Sequence, residues 1–230
     1  MKNDILVIIP ARGGSKRLPG KNIKKLCGKP LIEYSIDVAR AITSDENICV
    51  STDDIHIIDV VEKYGLKVPF VRPDTLASDT ATTSDVLLHA VDFYEKQGRH
   101  FNKLLLLQPT SPLRKIEEVL EAISLYSEDI DMVVSVRESS VASVLCNENN
   151  DGFLDSYCNR SPKNASPPTL YEYNGAIYVI NITSLKEKGM AGFTRRIKYV
   201  MTKESSIDID DIYDFMLAEA IMKKIQHEQL

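Results

Sequence analysis

The chain has 230 residues, 43% of them hydrophobic and 27% charged, an ordinary composition for a globular protein long enough to bury a sizeable core. Its net charge of −5 argues against bulk nucleic-acid binding. No apolar run is long enough to cross a bilayer, and MKNDILVIIP, followed at once by ARGGSKR, does not fit a signal peptide.

The elements alternate. Ile5 to Ile9 is a β-branched run and predicts a buried strand. Residues 10–29 are rich in Gly, Pro and Lys and predict a loop. Leu31 to Ile42 has apolar residues at helical spacing. Ile48 to Ser51 predicts a second strand, and Asp54 the cap of a helix that stops at Gly65. Val68 to Val71 predicts a third strand, Ser84 to Gln97 a helix, and Leu104 to Leu107 a wholly apolar strand central in its sheet. A helix over 117–126 and a strand over 132–136 follow. This rhythm predicts βαβ units and a mainly parallel, doubly wound α/β sheet, with ligands at the carboxyl ends of its strands. From Arg137 to Tyr173 the rhythm breaks into an Asn-, Ser- and Pro-rich stretch with weak strands near Val144 and Phe153. We expect an insertion there, a flap or a dimerisation arm, within a single domain spanning 1–230. Strands over 176–180 and 198–201 and a helix over 212–225 close the chain.

Charge is unevenly placed. From Ile5 to Ile32 there is no Asp or Glu, while Arg12, Lys16, Arg17, Lys21, Lys24, Lys25 and Lys29 all fall there. A basic segment in an acidic protein suggests a local anion site; a solvated run of lysines is the alternative. ARGGSKRLPGKN, residues 11–22, follows the first strand directly. Its glycines allow close backbone approach, and exposed amides in such a turn form an anion nest. It is not a Walker A loop: five residues separate Gly14 from Gly20, and Asn22 follows Lys21. It is not a dinucleotide fingerprint either, because Gly13 and Gly14 are adjacent.

Other residues point to the same chemistry. Arg72 follows a predicted strand, where its guanidinium could fork onto ribose or phosphate oxygens. Gln108 ends the most apolar strand, just before the rigid Pro109–Pro112 turn. Asp208 and Asp210 lie two apart in a strand-like segment, so both carboxylates face one side, as a Mg²⁺ site requires. Helix capping is the competing reading for Asp210 and Asp211, but not for Asp208. His56, His89, His100 and His227 are isolated. Cys27, Cys49, Cys146 and Cys158 lack metal-ligand spacing and read as reduced thiols, which suggests a cytoplasmic location.

ARGGSKRLPGKN resembles the signature of the CMP-sialic acid synthetase family. RPDTLASDTATTSD at 72–85, LLQPTSPLR at 106–114, NGAIY at 174–178 and SIDIDDIYD at 206–214 match that family in the same order. The resemblance implies a Rossmann-like nucleotidyltransferase, usually a homodimer, that joins CTP to a sugar acid and releases pyrophosphate with Mg²⁺ or Mn²⁺. It implies that Arg12, Gly13, Ser15, Lys16, Asn22, Arg72 and Thr83 hold the nucleotide and that Lys21, Arg12 and Asp210 are catalytic. Asp208 and Asp210 would hold the metal, while Gln108 would meet the sugar. Tyr178 and Phe193 would line the sugar pocket of the partner protomer; for Phe193, ordinary core is the alternative. The sugar stretch departs from the family: many members read RRQDLP before NGA, where this chain has NRSPKNASPPTLYEY. Arg160 or Lys163 could replace the missing base, and Leu145 stands where other members carry Lys. Two other readings stay open: a cytidylyltransferase for 3-deoxy-manno-octulosonate, and a catalytically silent nucleotide-binding module.

Overall fold

The computed structural model describes residues 5–139, 146–148, 154–156 and 169–228. Six strands form the main sheet: β1 (Ile5–Pro10), β4 (Ile48–Ser51), β5 (Lys103–Leu106), β6 (Met132–Ser139), β9 (Leu170–Asn181) and β10 (Arg196–Val200). Their order is β10-β6-β9-β5-β1-β4. β1 pairs in parallel with both β4 and β5, and β10 with β6, whereas β9 runs antiparallel between β5 and β6. The mainly parallel sheet expected from the sequence is present, with β9 as its one reversed strand.

Side-chain alternation along the strands builds a core on each face. Ile5, Val7 and Ile9 of β1 face one cluster with Leu105 and Leu107. Helices α1 (Leu31–Ile42), α2 (Ile55–Lys63) and α4 (Ile116–Ser124) pack there through Ile32, Ile36, Ile57, Val61 and Val119. Leu6, Ile8, Leu104 and Leu106 face the other cluster, covered by α3 (Thr83–Glu95) and α5 (Ile182–Lys188). Leu104 to Leu107 are all at most 1% exposed, because both faces are covered. A third, smaller cluster joins Leu18 and Leu26 of the glycine loop to Leu31, Ile209 and α6 (Ile212–Glu228). The α6 packing pins the loop against the last segment of the chain.

Three local expectations need correction. Val68–Val71 is not a strand; only Thr52 and Val71 form an isolated parallel bridge. Pro69 cannot donate to a ladder, and Phe70 instead packs on His89 and Phe93, with ring centroids 4.7 and 4.8 Å away. The 10–29 loop contains two two-residue strands, β2 (Lys25–Leu26) and β3 (Lys29–Pro30), paired as a hairpin. The expected break at 137–173 also starts later and ends earlier. Arg137, Glu138 and Ser139 pair with Glu172, Tyr171 and Leu170, so the β6–β9 ladder runs beyond the neighbouring strands. Between them, β7 (Cys146–Glu148) and β8 (Leu154–Ser156) form a separate antiparallel pair.

Candidate active site

The carboxyl ends of β1, β4 and β5 open on one edge of the sheet, and most of the candidate residues gather there. A cleft of about 370 Å³ is lined by Arg12, Ser15, Lys16, Arg17, Lys21, Asn22, Gln108 and Asp210. An adjoining lobe of about 310 Å³ shares Arg12 and Gln108 and adds Arg72, Asp79 and Thr83. Gln108 lies between the two lobes, at the end of the central strand as expected.

The glycine loop is held by short-range contacts. The Gly13 N–H donates to Asp53 Oδ1 at 3.1 Å. A Cβ on Gly13 would lie 2.5 Å from Asp54 Oδ2, so only glycine fits. That Asp54 carboxylate caps α2 by accepting from the His56 N–H at 2.7 Å, as the sequence predicted. The buried Asn22 donates to the Arg12 carbonyl at 3.0 Å and closes the loop on itself. The loop thus presents Arg12, Lys16, Arg17 and Lys21 to one cavity.

These cations pair with two carboxylates. Asp79 bridges Arg12 Nη1 at 3.0 Å and Lys16 Nζ at 2.6 Å. Asp210 receives Arg17 Nη2 at 3.0 Å and Lys21 Nζ at 3.6 Å. Lys21 also donates to the Ile209 carbonyl at 2.7 Å and is far less exposed than its neighbours. Arg72 is 4% exposed and donates through Nε to Ser51 Oγ at 3.0 Å, and through Nη2 to the Ser51 carbonyl. Its guanidinium is therefore fixed behind β4 on the wall of the second lobe.

The segment 207–210 is irregular and pairs with no strand. The Ile209 N–H donates to the Thr110 carbonyl at 2.8 Å, and the Ile209 side chain is fully buried. This turns Asp208 and Asp210 to the other, open side, as their spacing required. Asp211 is the capping residue: its carboxylate accepts from the N–H groups of Tyr213 and Asp214 at 2.8 and 3.1 Å. Asp214 returns the contact to the Asp210 and Asp211 N–H groups at 2.9 and 3.1 Å. The Asp210 carboxylate is thus left for the cleft. Loss of surrounding water raises the Asp208 pKa and Asp210 adds to the rise, while the Thr110 side chain foremost, with Lys21, opposes it.

β9 reaches the same point from the opposite direction. A register shift between Val134 and Val136 accommodates Asn174 and Gly175. Gly175 has φ of 75°, and a Cβ there would lie 3.6 Å from Asp208 Oδ2 and 3.8 Å from Gln108 Nε2. Beneath it, Asn174 Nδ2 donates to Ser206 Oγ at 2.9 Å, while Asn174 Oδ1 accepts from Ser135 Oγ at 2.5 Å. This buried network ties the NGA bulge to the start of the aspartate segment.

Arg114 is a residue whose role the sequence did not reveal. It is 5% exposed and donates to the Ala176 carbonyl at 2.5 Å, to Ser35 Oγ at 2.5 Å and to the Gln108 carbonyl at 3.0 Å. One buried guanidinium joins the ends of β5 and β9 to α1 and fixes the backbone that carries Gln108. Asp79 was equally hidden in the sequence, because its partners lie 63 and 67 positions away.

Two expected sugar-pocket residues are placed differently. Phe193 is 3% exposed and packs in the core of its own chain with Met132 and Ile180, so it has no free face for a partner. An aromatic side chain after the short turn at 190–192 is drawn into the apolar layer beneath α5, the core alternative noted from sequence. Tyr178 is also buried, at 9%, but its hydroxyl lies within electrostatic reach of Asp208 and Tyr173 in its own chain. Burial, with those two groups adding, pushes its pKa up to about 12. Arg160, Lys163 and Leu145 lie outside the described residues.

With this geometry in view, comparison with known proteins decides the family. The cytidylyltransferase family pattern matches residues 6–228. The chain belongs to the cytidylyltransferase family. Among curated members, the CMP-N,N'-diacetyllegionaminic acid synthase of Legionella pneumophila is 36% identical, covering 95% of this chain and 96% of that protein. The pseudaminic acid cytidylyltransferase of Campylobacter jejuni is 32% identical, with 99% of each chain covered. The N-acylneuraminate cytidylyltransferase of Escherichia coli O18:K1:H7 is 35% identical over all of this chain but only 55% of its own length. The solved CMP:2-keto-3-deoxy-manno-octonic acid synthetase complexed with CTP superposes with a TM-score of 0.72 at 19% identity, covering 96% of this chain and 99% of that one. At that identity the likeness establishes the fold. Among the described residues of this cytidylyltransferase, no helix is long and apolar enough to cross a membrane.

Proposed function

We propose that this cytidylyltransferase activates a nonulosonic acid, converting CTP and the sugar acid to the CMP-sugar acid and pyrophosphate. The observation that carries the reading is the convergence of Arg12, Lys16, Arg17 and Lys21 with Gln108, Asp208 and Asp210 on one cleft edge, in a chain whose relatives at 32–36% identity are named for nonulosonic acids. The sequence relationship favours these substrates over 3-deoxy-manno-octulosonate, to whose synthetase the likeness is one of fold. The intact cation and carboxylate sets speak against a silent binding module.

In this reading Arg12 and Lys16 bind the phosphates, Arg72 and Thr83 border the nucleoside lobe, and Lys21 stabilises the leaving pyrophosphate. The sugar's anomeric hydroxyl enters beside Gln108, Gly175 and Asp208 to attack the α-phosphorus. Catalysis then consists mainly of alignment and charge neutralisation in a preorganised cleft.

Asp208 and Asp210 fit a divalent metal. Among the described residues, no group of three or more His, Cys, Asp or Glu is placed to hold one, so these two carboxylates would need other ligands to complete a shell. Two carboxylates completed by phosphate oxygens and water suit Mg²⁺ or Mn²⁺. Asp210 adds to the rise in the Asp208 pKa, and a cation between the two carboxylates would offset that repulsion. Such an ion, when bound, supplies Lewis-acid charge neutralisation at the phosphates.

A homodimer belongs to the same proposal. Tyr213, Met216 and Leu217 on α6 are 77%, 61% and 51% exposed, next to the aspartate segment, and a run of apolar surface of this kind favours a partner.

Nucleotide choice tests the reading. Pyrophosphate release should be strong with CTP and at least about a hundredfold weaker in kcat/KM with ATP or GTP, since a pyrimidine lobe rejects a purine by size. Equal turnover with ATP would defeat the assignment.

A further inference from the structure

Asp79 stands apart from every role assigned above. It lies between Arg72 and Thr83 in sequence, on the wall of the nucleoside lobe, yet its carboxylate reaches across the cleft mouth. One oxygen meets Arg12 at 3.0 Å and the other meets Lys16 at 2.6 Å. Among the described residues Asp79 is the anionic partner of both, whereas Arg17 and Lys21 are held by Asp210. The Asp79 carboxylate therefore sits where phosphate oxygens would have to lie to use both cations.

We propose that Asp79 is an internal counter-anion that engages the phosphate cradle and sets nucleotide affinity by competing with the triphosphate. The inference rests on the nucleotide reading of the cleft. All three side chains are well exposed, at 58% for Asp79, 42% for Arg12 and 79% for Lys16. Exposed pairs of this kind are weak and screened by salt, so the contact is displaceable. A single carboxylate carries one negative charge, whereas a triphosphate carries several and offers more oxygens to the same donors. The same contact holds two long basic side chains together, so phosphate binding would exchange one anion for another.

Removing the charge should tighten binding. By calorimetry, Asp79→Asn and Asp79→Ser should bind CTP about threefold to tenfold more tightly than the unaltered protein at low salt. The gain should shrink as salt is raised. Inorganic tripolyphosphate, which engages the cradle alone, should show the same gain. Unchanged or weaker binding of both ligands to both variants would overturn the proposal and would make Asp79 a positioning group or a bystander. A protein that binds tripolyphosphate but ignores CTP would defeat the nucleotide reading, while the tripolyphosphate comparison would still decide the role of Asp79.

Discussion

At the residue scale, Asp208 and Asp210 place like charges close enough to interact. Loss of water raises the Asp208 pKa and Asp210 adds to the rise, against the lowering by the Thr110 side chain and Lys21, so an added cation would relieve the like-charge repulsion. Asp208→Asn removes one like charge and keeps the shape. The expected outcome is at least about a hundredfold loss of pyrophosphate release with a melting temperature equal to or above that of the parent protein. A variant that melts well below its parent would mean that the carboxylate is structural. Asp208 and Asp210 were legible because a two-residue spacing in extended chain fixes one side. Asp211 was legible as a cap because it precedes an apolar helical pattern. Asp79 and Arg114 were not, because their partners are set by tertiary contacts that no local pattern encodes. Phe193 was left open between core and partner contact for the same reason: its segment looks the same in sequence whether it faces a core or a neighbour.

At the element scale, the apolar run Leu104–Leu107 and the helix over 31–42 were plain from composition and period. The direction of β9 was not, since side-chain alternation is the same in a parallel and an antiparallel strand. The Val68–Val71 segment misled because β-branched content outweighed Pro69 in the reading. Asp131, just before β6, shows how an edge of the sheet is secured. It is 2% exposed and accepts from Lys188 at 2.8 Å and from the N–H groups of Thr194 and Arg195, both at 2.9 Å. Lys188 foremost, with those N–H groups, holds its carboxyl well below the usual carboxylate range. A depressed carboxyl adds stability above its unfolded pKa of about 3.9 and loses that stability as pH falls toward the folded value. Asp131→Asn should therefore cost roughly 2 kcal/mol in denaturant melts at pH 7, and the gap from the parent should narrow below about pH 4. A gap independent of pH would show that packing, not charge, is what Asp131 contributes.

At the scale of the whole molecule, the sheet brings residues from the start, middle and end of the chain to one edge. The ordering of motifs in the sequence already implied that gathering, whereas the depth of each lobe came only from the packed structure. The exposed apolar face of α6 beside this edge leads to the dimer proposal. Sedimentation should give a dimer at micromolar concentration, and Met216→Glu should shift it toward monomer. A monomer under both conditions would remove the dimer from the account. The central claim is the class of sugar, and one measurement addresses it most directly. Incubation with CTP, Mg²⁺ and, separately, N-acetylneuraminic, N,N'-diacetyllegionaminic, pseudaminic and 3-deoxy-manno-octulosonic acids should yield, by mass spectrometry, a CMP-linked product with at least one of the three nonulosonic acids. Product from 3-deoxy-manno-octulosonic acid alone, or from none of the four, would contradict it.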